Sequence, residues 1–124
     1  MVRSIVLPTL ALALLTAPAF AADNTCKPPP SPSVPDGKKV ESHDLVVAAN
    51  DVKAFMLSSD NYQLCLNDWL DKEKAEAQAA MHPLDAKIQM THDNLGDANQ
   101  KEKERVGALY SAAAADYYKL HPRR

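Results

Sequence analysis

Glycine is scarce in this sequence: three residues in 124, none before position 37. Phosphate-cradling loops, anion nests and oxyanion holes draw on glycine-rich backbone, so those chemistries have little to build on. No nucleophile elbow and no helix-borne zinc-protease motif occurs. An enzyme is not expected, and neither is a cofactor. Aromatic residues are few at 6%. There is no alternation of aromatic or β-branched residues beyond residue 42, which excludes a strand-rich fold. Cationic excess is also missing, since 14 Lys and Arg stand against 16 Asp and Glu. A nucleic-acid partner is therefore not expected, because such binding rests on releasing phosphate counterions.

The one long apolar run sits at the start. Arg3 precedes a nearly unbroken apolar stretch from Ile5 to Ala17, and Ala19-Phe20-Ala21 offers small residues where a signal peptidase reads them. Residues 1–21 are read as a cleavable signal peptide. The run is shorter than the roughly 20 apolar residues a span needs and is broken by Pro8 and Pro18, so no membrane span is expected after cleavage. Removing 21 of the 124 residues leaves 103, and Arg3 is the only charge lost, giving 13 basic against 16 acidic residues. A single domain with a thin core is expected at that length.

Two cysteines remain, Cys26 and Cys65. In an exported protein an even count reads as a disulfide, and the wide spacing does not suit a redox-active pair. Such a staple stabilises a small domain by about 4 kcal/mol on the chain-entropy model. Between the cysteines lies Lys27-Pro28-Pro29-Pro30-Ser31-Pro32-Ser33-Val34-Pro35-Asp36-Gly37. Prolines without N–H groups exclude a helix or a central strand, so residues 22–41 read as an extended strap ending in a Pro-Asp-Gly turn.

Residues 42–121 read as an antiparallel hairpin of two long amphipathic helices, giving an all-α fold with coiled-coil-like packing. Ser42 is the expected N-cap. Apolar or small residues at Leu45, Ala49, Val52, Phe55, Met56, Tyr62, Leu66, Trp69, Leu70, Ala77 and Ala80 share one face. Pro83 forces a turn near residue 82, so the first helix should end near Met81. A second stripe runs Leu84, Ile88, Thr91, Leu95, Ala98, Val106, Leu109, Ala113, Tyr117 and Leu120. The polar stretch Asn99 to Arg105 should be solvated. Folding at residues 82 and 83 pairs Leu45 with Leu120, Phe55 with Tyr110, and Trp69 with Gly96. A helix break at Gly96 would instead give three helices.

The order Cys26, proline-rich strap, Val34-Pro35-Asp36-Gly37, a helix with Tyr62 and Cys65-Leu66, then His92 and Asn94, resembles an uncharacterised group of small exported proteobacterial helical proteins with a conserved cysteine pair. That resemblance implies a periplasmic location and a disulfide-stapled helical fold. It implies no activity and no functional residues.

Transition-metal ligation is the sharpest chemical alternative. Met81, His82, Met90 and His92 fall within twelve positions around the turn, and imidazole and thioether suit copper. Met90 and His92, two apart on a helix, do not face each other. The hairpin also brings His43 and His121 to one end. The leading functional reading is a binding or assembly module, because apolar faces partly buried in a hairpin can pair with a second copy or with another periplasmic protein. A small chaperone that holds clients on exposed apolar surface is a further reading.

Overall fold

The structure is a computed structural model and describes residues 24–122. The signal expected over residues 1–21 lies outside the described residues. Two helices, α1 at Ser42–Ala79 and α2 at Ala86–Leu120, pack against one another as an antiparallel hairpin, and no strand occurs among the described residues. Gly96 does not interrupt α2, so the hairpin has two helices rather than three.

The helix ends follow from local chemistry, with one change from expectation. Glu41 rather than Ser42 is the N-cap of α1: it is extended, its side chain makes no capping bond, and its carbonyl accepts from the Leu45 N–H at 3.0 Å. The preceding turn winds around Asp36, whose carbonyl accepts from the Lys39 and Val40 N–H groups and whose carboxylate accepts from the Lys38 N–H. At the other end the Met81 N–H donates to the Gln78 carbonyl and the His82 N–H to the Ala77 carbonyl. That double bond is the Schellman reversal, and it places Met81 at φ 57°, where glycine is the usual occupant. Asp85 then caps α2, its carboxylate accepting from the Lys87 N–H at 2.9 Å.

Burial recurs every seven residues. Leu45, Val52, Ser59 and Leu66 form one buried line on α1, and Ala48, Phe55 and Tyr62 form the next. On α2 the buried residues are Asn99, Val106 and Ala113, again seven apart. Seven is the spacing of a coiled-coil seam, which keeps one line of side chains against the partner helix. Asn99 was expected in solvent with its polar neighbours. It is buried, and its amide donates to the Ser59 carbonyl at 2.9 Å.

Two helices cannot enclose a core by themselves, and the strap supplies the third side. Cys26 and Cys65 are joined by a disulfide, with Cα atoms 5.8 Å apart. From there the strap runs along the groove between the helices. Val34 packs on the Val52, Phe55 and Val106 cluster, and Gly37 lies buried against Ala113. The lengths agree: eleven steps at about 3.1 Å reach about 34 Å, and the twenty residues from Leu45 to Cys65 rise about 30 Å.

The helix register differs from a symmetric fold. Ser59 meets Asn99, Asp60 meets Lys103, and Asn67 meets His92. A side chain at Gly96 would touch Gln63 first, at 3.2 Å, rather than Trp69. Leu120 is exposed, and Leu45 shares a groove with Tyr117 and His121. Tyr110 does pack on the cluster holding Phe55, as expected, although Val106 is the buried partner there. The shift has a plain cause. Residues between Met81 and Asp85 are not helical, and extended chain advances about 3.3 Å per residue against 1.5 Å in a helix. The chain has therefore travelled back along α1 before α2 begins.

Candidate functional site

Among the described residues, three regions gather side chains that could carry chemistry or binding. The first is the strap groove. Pro28 and Pro29 of the strap and Phe55, Tyr62, Leu95, Ala98, Asn99 and Glu102 of the helices line an apolar cavity of about 140 Å³ that is open to solvent. Burial pushes the Tyr62 phenol above its ordinary value. At the rim the Ser31 hydroxyl donates to Glu102, which also takes two bonds from Arg105. The Arg105 guanidinium first, and then Ser31, hold the Glu102 carboxyl down at about 2. The lining is mostly apolar, so the cavity can hold an apolar group.

The second region is the turn, where the metal ligands were expected. Met81 is 94% exposed. The Nδ1 of His82 lies 2.9 Å from the Pro83 carbonyl, and the ring borders a shallow groove with Glu73, Glu76 and Asp85. His92 is elsewhere, about 9 Å along α2 from Ala86 by helical rise. Its side chain is 16% exposed, with Nε2 2.9 Å from the Asn67 Oδ1 and Nδ1 2.9 Å from the Asp93 carboxylate. Each ring nitrogen of His92 thus faces an acceptor oxygen, and a metal at either would have to displace one of those bonds. The hydrogen bonds from His92 and then Gln89 lower the Asp93 carboxyl below its ordinary range. Met90 is exposed and lies two residues before His92. Among the described residues, no group of three or more His, Cys, Asp or Glu side chains is placed to hold a metal ion.

The third region is the open end and the flank of α1. His121 stacks on Tyr117 with ring centroids 4.3 Å apart, and its Nδ1 lies 3.0 Å from the Tyr117 carbonyl. Tyr117 in turn meets Tyr118 edge-on. These rings line a groove with Ser42, Asn50 and Lys53 from α1, whereas His43 is exposed and does not line it. Along the flank stand Val46, Leu57 and Leu64, at 57%, 64% and 60% exposure. Their spacings of eleven and seven residues are close to three and two whole turns, so they form one line. Leu57 and Leu64 each follow a strap-contacting residue, Phe55 and Tyr62, by two positions, or about 200° around the helix. The line therefore faces away from the strap.

Sequence reasoning missed this line. Its signal was present in the 11 and 7 spacing, but the stronger stripe through Leu45, Val52 and Leu66 drew the assignment. Trp69 is half-buried with its indole N–H out of water and without a protein acceptor. No helix is long and apolar enough to cross a membrane among the described residues. No protein-family model, no curated protein and no solved structure matches the chain.

Proposed function

We propose that this chain is an exported, periplasmic, non-enzymatic assembly module that pairs with a second copy of itself through the strap-free flank of α1. The observation carrying this reading is the line of Val46, Leu57 and Leu64. Three large aliphatic side chains lie more than half exposed along one edge of a helix whose opposite side is already packed. An aligned apolar edge is costly to leave in water and is the kind of surface a partner helix covers. Lys53 stands between Val46 and Leu57, and Asp60 between Leu57 and Leu64, so charged side chains punctuate the line, as suits a reversible contact.

Sedimentation equilibrium on the full oxidised chain tests this. The wild type should show a concentration-dependent dimer, and Leu57→Asp with Leu64→Asp should be monomeric with an unchanged helical spectrum. A wild type that stays monomeric over the whole concentration range would overturn the reading. Native mass spectrometry of the same sample separates the metal alternative, because stoichiometric copper on a monomer would point to the turn instead.

A further inference from the structure

The strap is attached in an unusual way. Prolines at 28, 29, 30, 32 and 35 have no N–H to donate. Among the described residues no main-chain hydrogen bond joins residues 24–35 to either helix, and the nearest such bonds lie inside the Asp36 turn. What holds the strap is packing at Pro28, Pro29 and Val34, the Ser31 bond to Glu102, and the disulfide. The helices, in contrast, are tied to each other without it, through Asn99 with Ser59, Lys103 with Asp60, and His92 with Asn67. The strap is thus a flap, hinged at the turn after Pro35 and fastened at Cys26.

We propose that the groove under the strap is a binding site for an extended, proline-containing peptide segment, and that the Cys26–Cys65 disulfide is the latch that controls access to it. With the bond closed, the chain's own strap fills the groove. With it open, a segment of the same chemistry enters from another molecule.

The occupant is read from the structure itself, because the strap shows what the groove accepts. A polyproline-type segment is extended before it binds, so it loses little conformational freedom on docking against apolar and aromatic walls. Phe55, Tyr62, Leu95 and Ala98 provide those walls, and Glu102 takes a hydroxyl from the segment. The open cavity of about 140 Å³ beside Pro28 and Pro29 leaves space for a bulkier residue than proline. The latch is within reach of a reductant, since both cysteines border a shallow depression lined also by Lys27, Ser58 and Asn61. Opening it consumes one dithiol: the dithiol gives two electrons and two protons, the S–S bond breaks to two thiols, and the dithiol closes to its own disulfide. This site is lined by Phe55 and Tyr62 and not by Val46, Leu57 or Leu64, and it does not depend on self-pairing.

The test uses the full chain, isotopically labelled, before and after reduction with dithiothreitol. The probe is a synthetic peptide covering residues 27–38, which contains no cysteine. It is titrated to millimolar concentration, because the tethered strap still competes at an effective concentration of about that size. In the reduced protein the amide signals of Gly37 and Asn99 should shift saturably. In the oxidised protein the response should be at least about tenfold weaker, which is about 1.4 kcal/mol of exclusion. Ala98→Arg should abolish the response with the helical spectrum intact. Equal responses in both redox states, no response after reduction, or an unaltered response in Ala98→Arg would each overturn the proposal. So would loss of the helices on reduction, which would make the bond a structural staple and not a latch.

Discussion

The Asn99 side-chain amide donates to the Ser59 main-chain carbonyl across the helix pair, 2.9 Å away and sealed from water. It is a polar layer in a seam otherwise filled by Leu, Val, Phe, Tyr and Ala, and the Ser59 hydroxyl beside it has no protein partner. Such a layer fixes register, since sliding either helix would strand an amide among apolar side chains. Asn99→Leu is expected to leave stability unchanged or higher while broadening the distribution of oligomeric states. Asn99→Ala should cost about 1 kcal/mol or more, because it loses the bond and leaves a gap. Urea unfolding and sedimentation together read both effects. A single sharp species in Asn99→Leu would remove the register role.

Gly37 is expected to be intolerant of any side chain. A Cβ there would lie 1.9 Å from the Ala113 carbonyl oxygen, a contact between backbones that no rotamer change relieves. Its φ is not positive, so the penalty is steric and not torsional. Gly37→Ala should destabilise by about 3 kcal/mol, at the upper end of overpacking costs. An unchanged urea midpoint would mean that the strap does not approach α2 as described.

Met81 offers the opposite prospect. At φ 57° and 94% exposure it bears left-handed strain without any packing in return. Met81→Gly should raise stability by about 1 kcal/mol. A fall in thermal midpoint would show that the Met81 side chain contributes something its exposure does not reveal.

Glu102 gives the pH dependence. Its folded carboxyl is held at about 2 against an ordinary 4.5. A depressed acid stabilises the fold fully above the ordinary value, and that contribution is lost as pH falls from about 4.5 toward 2. The group is open to solvent, so the effect is small and sensitive to salt. Glu102→Gln should flatten stability over that window and free the Ser31 hydroxyl. A wild-type Glu102 carboxyl that titrates near 4.5 by carbon-detected NMR would contradict the Ser31 and Arg105 bonds.

Much of the architecture could be read from composition. Pro83 dictates the turn, the prolines from 28 to 35 dictate the strap, and the 3.6-residue stripes dictate two helices. The register was not readable, because it depends on how far the non-helical chain between Met81 and Asp85 travels, and no periodicity encodes that. Asn99 sits among charged neighbours, so nothing local marks it as buried. Gly37 reads as part of a turn, and its second duty toward Ala113 comes from a segment 76 residues away. The exposed line of Val46, Leu57 and Leu64 obeys the same helical period as the core, and period alone does not say which apolar edge faces inward.

The strap also sets an order of assembly. Each helix can form from neighbours three and four residues away, and Cys26 needs only α1 to find Cys65, 39 positions on. Ser31, however, waits for Glu102, 71 positions away, and the groove has no second wall until α2 folds back. Contacts across such separations form late, because a long loop must close before they repay its entropy. The segment that leads the described chain is therefore the last to be seated, and until then its resting place stays open to whatever extended chain is nearby.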